Sequence, residues 1–62
     1  MKYSEIERKL KKAGCYCINE SGKHPEWFSP ITELTFYLSH HKSEEAKSGT
    51  LSKISKASGT KL

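Results

Sequence analysis

The stretch from Cys15 to His40, CYCINESGKHPEWFSPITELTFYLSH, decides the fold. Its first run, Cys15-Tyr16-Cys17-Ile18-Asn19, suits a strand at every residue before Asn19 and is too short for a helix. Glu20-Ser21-Gly22-Lys23 is a turn signal. Glu26-Trp27-Phe28-Ser29 reads as a second short strand. Ser29-Pro30-Ile31-Thr32-Glu33 is a hairpin connection, because Pro30 has no N–H to offer a ladder. Thr35-Phe36-Tyr37-Leu38-Ser39-His40 is the third strand and the richest in strand-favouring residues. Alternation turns Phe36 and Leu38 to one face, and Thr35, Tyr37 and Ser39 to the other.

Helical patterns flank this region. Ser4 opens an S-x-x-E capping box that Glu7 completes, with Tyr3 just before it. Ile6, Leu10 and Ala13 share one face, while Arg8, Lys9, Lys11 and Lys12 fall on the others. Gly14 is the expected stop. Beyond Lys42 the chain turns polar. Ser43 and Thr50 are candidate N-caps, with Gly49 a break between them, and a second helix is expected over roughly 50–58. Leu51, Ile54 and Leu62 lie on its apolar stripe, but so do Ser55 and Ser58, so this helix is expected to be weakly anchored. The order helix, three strands, helix predicts an α+β fold: an antiparallel sheet with both helices on one face and the other face open.

Sixty-two residues make one small domain, 1–62, without repeat or linker. A chain this short buries only about 60% of the surface its unfolded form exposes. Its apolar content of 34%, against 29% charged, is too high for full disorder. Its apolar runs fall far short of the roughly 20 residues that a bilayer needs, so no membrane association is expected. The charged N-terminal stretch has no apolar segment of a secretory leader. Large multidomain enzymes, nucleotide-cofactor folds and transmembrane proteins are excluded. Eleven basic residues against seven glutamates leave a net charge of +4, which suits a polyanion such as nucleic acid.

Cys15 and Cys17 are the only cysteines. At i and i+2 of a strand they lie about 6.6 Å apart, at the edge of disulfide geometry. Zinc needs two further ligands, and Cys-x-Cys is not the usual spacing. Two reduced thiols acting as small core apolar groups is the expectation, which favours the cytoplasm.

His24 is the first candidate for chemistry. It follows Gly22-Lys23, and Pro25 after it restricts its backbone to extended conformations. Gly22 permits close approach and unusual dihedrals, and Lys23 adds a cation beside the imidazole. His40 and His41 end the third strand and point to opposite faces, so only one can join His24. Two histidines flanking a phosphate suit general acid–base catalysis; metal binding and solvated strand-end histidines are the alternatives. Trp27 suits either base stacking or the core. No Walker loop, dinucleotide fingerprint, Ser-His-Asp order or paired-carboxylate motif is present.

Taken together, the chain resembles the HicA toxin family, the small mRNA interferases of bacterial type II toxin–antitoxin systems. KYSEIERKLKKAGCY is similar to the family's opening helix and its terminating glycine. Gly22-Lys23-His24 is similar to its G-S-H element, Trp27-Phe28-Ser29-Pro30-Ile31-Thr32 with Thr35-Phe36 to its central hairpin, and Lys47-Ser48-Gly49-Thr50-Leu51 to its K-K-G-T-L signature. The resemblance implies a double-stranded-RNA-binding-domain-like αβββα fold and ribosome-independent cleavage of mRNA; no metal or other cofactor is expected. It also implies neutralisation by a HicB-like antitoxin. It makes His24 the catalytic histidine, Gly22 its supporting glycine, and places His41 where the family often has a histidine. Lys23 stands for the usual serine, Asn19 for a frequent basic residue, and Ser39-His40 for a common Pro-Arg.

The expected function is thus a toxin endoribonuclease, with Arg8, Lys9, Lys12, Lys23 and Lys53 as RNA-binding cations and His24 as acid or base. Its rivals are a non-catalytic RNA-binding module of the same fold, which has no need of His24, and an adaptor whose open sheet face binds protein.

Overall fold

The computed structural model describes residues 1–62, in the order α1 (Tyr3–Lys12), β1 (Tyr16–Asn19), β2 (Glu26–Ser29), β3 (Leu34–Tyr37) and α2 (Ser48–Ser58). The three strands form one antiparallel sheet in the order β1-β2-β3, which confirms the α+β αβββα expectation. Register explains which residues face inward. Cys17 lies opposite Trp27, and Trp27 opposite Phe36; Trp27 and Phe36 are buried. The next row, Tyr16, Phe28 and Thr35, faces outward, where the Tyr16 and Phe28 rings pack with centroids 5.6 Å apart. The pairing slips between Cys17 and Asn19, which brings Asn19 opposite Glu26.

Ile6 and Leu10 of α1 and Ile54 of α2 join Cys15, Trp27, Phe36, Leu38 and Ala46 in a single apolar cluster. Trp27 thus belongs to the core, and its ring is not available to stack on a base. Cys15 is buried and Cys17 half-buried, and both are free thiols. No helix is long and apolar enough to cross a membrane.

The ends of α1 are built differently from each other. At its C-terminus the Gly14 N–H bonds the Lys11 carbonyl and the Cys15 N–H bonds the Leu10 carbonyl. Gly14 adopts φ +98°, so the paired bonds of a Schellman cap require a residue free to enter the left-handed region. The N-terminus has no capping box. The helix starts at Tyr3, Lys2 is the N-cap, and no side chain caps it. The Tyr3 and Ser4 N–H groups instead bond the carbonyls of Glu44 and Lys42, at 3.1 and 3.0 Å. Glu7, freed from capping, is buried with Lys42 Nζ at 3.6 Å. Lys2 also bridges Glu45, and the Ala46 N–H bonds the Met1 carbonyl. The terminal ammonium beside Glu45 holds that carboxyl below its ordinary range.

The second helix departs further from expectation. It begins at Ser48, with Lys47 as N-cap and neither Ser43 nor Thr50 capping. Gly49 is no break: it lies inside the first turn. Nor is the helix weakly anchored. Ser58 is fully buried, and its carbonyl accepts the Ser29 hydroxyl at 2.6 Å. The Thr32 hydroxyl donates to the Ala57 carbonyl. Ser55 Oγ accepts the Leu62 N–H, and Ser58 Oγ the Thr60 N–H. The Ser29 and Thr32 hydroxyls therefore lock the helix end to the β2–β3 hairpin, since final-turn carbonyls have no partner within the helix, while the Ser55 and Ser58 hydroxyls hold the residues that follow it.

Gly59 closes this arrangement at φ +71°. A Cβ there would lie 2.9 Å from Ile31 Cγ2 and 3.0 Å from Thr32 Cγ2. At Gly49 a Cβ would meet nothing within 4 Å. Gly59→Ala is expected to destabilise by about 1–3 kcal/mol through left-handed strain and the clash, and Gly49→Ala to stabilise by about 0.4–1 kcal/mol through the unfolded chain. Urea unfolding of the two variants beside the parent measures both; equal midpoints would contradict the close packing at Gly59.

Candidate functional site

The loop from β1 to β2 is held at three points. Asn19 Oδ1 accepts the Ser21 N–H at 3.0 Å and the Ser21 hydroxyl at 2.6 Å, which starts the turn. His40 Nε2 lies 3.0 Å from the Gly22 carbonyl oxygen. A carbonyl only accepts, so the ring N–H of His40 donates. The Pro25 carbonyl accepts the Leu38 N–H at 3.0 Å, and Pro25 itself is buried. The segment that follows β3 thus grips the chain on both sides of His24, whose side chain stays exposed.

Gly22 does not serve as expected. Its φ lies outside the left-handed region, and an added Cβ would meet only the His24 carbonyl, at 3.7 Å. The contribution of Gly22 to the loop is its carbonyl, held by His40.

Two concavities meet at His24. One, of about 360 Å³, is lined by Asn19, Gly22, Lys23, His24, Glu26 and Tyr37. The other, of about 580 Å³, includes His24, Tyr37, Ser39, His41, Glu44 and Lys53 in its walls. His40 opens instead onto a separate hollow with Glu7, Glu20, Trp27 and Lys42. Of the adjacent histidines, His41 joins His24 and His40 turns away: β3 ends at Tyr37, short of the expected His40, and His40 sits in a bend whose carbonyl accepts the Lys42 N–H at 3.1 Å.

Of the expected cations, Lys23 and Lys53 reach the two concavities, one each. Arg8, Lys9 and Lys12 are exposed on α1 and line neither. The ion pairs of the chain are those of Met1 with Glu45 and of Lys42 with Glu7, so Lys23 and Lys53 have no carboxylate partner. No group of three or more His, Cys, Asp or Glu side chains is gathered to hold a metal ion. Around two adjoining open hollows stand the imidazoles of His24 and His41 and the ammoniums of Lys23 and Lys53, with Glu26 and Glu44 also on the walls. That set suits proton transfer at a phosphate and neutralisation of its charge.

Comparison with protein families carries the same residues into one assignment. A family model described as the HicA toxin of bacterial toxin–antitoxin matches residues 3–60. The chain belongs to the HicA toxin family. Comparisons with curated proteins and with solved structures give no match. The HicA match runs from the first residue of α1 past the Gly59 cap, so both His24 and His41 lie inside it. Membership makes the chain the toxin of a toxin–antitoxin pair and implies an antitoxin of HicB type.

Asn19 and Tyr37 were not singled out as site residues from the sequence, and His40 was weighed only as a partner for His24, because turn geometry and cross-loop contacts decide their places. His40→Ala removes the bond to Gly22 while leaving the core untouched. Amide exchange at residues 21–24 is expected to accelerate, with global stability changed by no more than about 0.5 kcal/mol, as for a surface substitution. Exchange measured by NMR checks this, and an unaltered loop would show that the hydrogen bond does not hold it.

Proposed function

We propose that this HicA-family toxin is an endoribonuclease acting on mRNA through His24. The observation that supports this reading is the convergence of His24, His41 and Lys53 on one cavity. The reaction is attack by the substrate's own 2′-hydroxyl on the adjacent phosphorus. The 2′-oxygen–phosphorus bond forms and the bond from phosphorus to the 5′-oxygen breaks, leaving a 2′,3′-cyclic phosphate and a 5′-hydroxyl. One imidazole takes the 2′-hydroxyl proton and the other protonates the departing 5′-oxygen. His24 and His41 divide these roles. Lys53, with Lys23 at the neighbouring concavity, offsets the charge that grows on the phosphoryl oxygens.

The antitoxin partner, of HicB type, would cover the His24 loop and present acidic groups to the lysines. An RNA substrate and two free thiols favour a cytoplasmic toxin.

His24→Gln keeps size and polarity but cannot shuttle a proton. It is expected to lower RNA cleavage by about 10²–10⁴-fold, with folding and RNA binding retained. His41→Gln is expected to lower RNA cleavage by about 10²–10⁴-fold with folding retained. A folded His24→Gln variant that cuts at the parental rate would refute the catalytic role of this residue. An inert parent that still binds RNA would favour a binding module instead.

Electrostatics gives an independent check. RNA affinity is expected to fall with salt with a log–log slope of about −0.7 per phosphate contacted on single strands. Lys23→Ala and Lys53→Ala are each expected to flatten that slope by about 0.7. Affinity titrated over a range of salt concentrations measures it, and slopes unchanged by both substitutions would remove these lysines from the RNA surface.

A further inference from the structure

Tyr37 closes β3 with its side chain 62% exposed, while its neighbours Phe36 and Leu38 carry the inward packing. No core role accounts for so large a ring. Its surroundings suggest another. It lines both concavities that meet at His24, and a third of about 280 Å³ that it shares with Lys53 along α2. Across the β2–β3 ladder its partner is Glu26. One flat aromatic face is therefore set among His24, His41 and Lys53, with the carboxylates of Glu26 and Glu44 also on the walls.

This mixture separates the possible occupants. The cations suit phosphate, and an acidic peptide would use them equally well. The two carboxylates oppose an acidic peptide, yet they accept hydrogen bonds from the exocyclic amines of nucleobases. An exposed ring beside a phosphate-binding hollow is the arrangement on which an unpaired base stacks, and every base has a π-face to offer it. A base within a duplex has both faces covered by its neighbours in the stack.

We propose that Tyr37 is a base-stacking subsite for single-stranded RNA, which holds the nucleotide next to the scissile phosphate against the ring while the phosphate lies toward His24 and Lys53. This deepens the endoribonuclease reading and rests on it for the position of the phosphate.

The test separates binding from cutting. A short mixed-sequence single strand bearing 2′-O-methyl groups throughout lacks the attacking hydroxyl, so its affinity is read without cleavage. Tyr37→Ala is expected to weaken its binding by about 5–150-fold, the range of one lost base stack. Tyr37→Phe and Tyr37→Trp are expected to bind within a few-fold of the parent, because they keep the aromatic face. The same strand annealed into a duplex is expected to bind the parent less tightly and to be insensitive to Tyr37→Ala. Because the side chain is exposed, circular dichroism of all three variants is expected to match the parent. Equal affinity of Tyr37→Ala and parent for the single strand overturns the proposal and leaves the ring to a protein partner. Cleavage of the 2′-O-methylated strand refutes the 2′-hydroxyl mechanism and leaves the stacking result standing.

Discussion

The hydroxyls of Ser29 and Thr32 reach the last carbonyls of α2, and the position of that helix depends on these contacts. Eight buried apolar residues are a thin core for two helices and a sheet. Helix α2 contributes only Ile54 to them, with Leu51 and Ala57 partly buried beside it. Its remaining hold on the sheet is polar. A final-turn carbonyl buried without a donor would cost about 1–3 kcal/mol, so each hydroxyl that reaches one both avoids a penalty and fixes direction. The small residues follow from this: Ser29 and Ser58 are fully buried because helix and hairpin approach closely, and Gly59 has no room for a side chain. Lys53 owes its place beside the histidines to the same seam, since α2 carries it there.

The site is assembled on a different logic. The His24 loop contributes only Pro25 to the buried residues. It is shaped by an Asx turn at Asn19 and by two bonds from the segment after β3. Such a loop is rigid at its backbone and open at its side chains. That combination leaves the His24 side chain accessible from solvent without unpacking a core.

What was legible in the sequence was periodic or punctuated. Strand β2 has its expected ends because Pro25 and Pro30 bracket it, and Gly14 marked the end of α1 because only the left-handed region lets the chain turn there. Alternation put Phe36 and Leu38 inside, whereas His40 and His41 reach different hollows through a bend beyond the end of β3. The failures all involve partners remote in sequence. Ser4 and Glu7 have the pattern of a capping box, but the carbonyls of Lys42 and Glu44 bond the α1 N–H groups instead. Ser55 and Ser58 weaken an apolar stripe, but the hydroxyls of Ser29 and Thr32 anchor the helix through its last carbonyls. Gly22 read as a conformational necessity, yet it serves through a carbonyl that any residue has. At the site, His24 and His41 were visible as chemistry-bearing residues in restrained positions. Tyr37 was not, and His40 was visible only as a possible partner for His24 and not as the support of its loop, because both acquire these places only from what folding sets beside them.

The clasp between the N-terminal residues and the segment 42–46 bears on how the chain comes off the ribosome. Tyr3 and Ser4 cannot give their N–H groups to Glu44 and Lys42 until those residues have been made, and α1 alone is shorter than isolated helices need to persist in water. The contacts that organise the first helix are therefore among the most distant along the chain, and closing so long a loop carries an entropic cost before any contact repays it. The hollow at His24 draws walls from Tyr3, from His24 and from Lys53, so no fragment of the nascent toxin that stops short of Lys53 contains it.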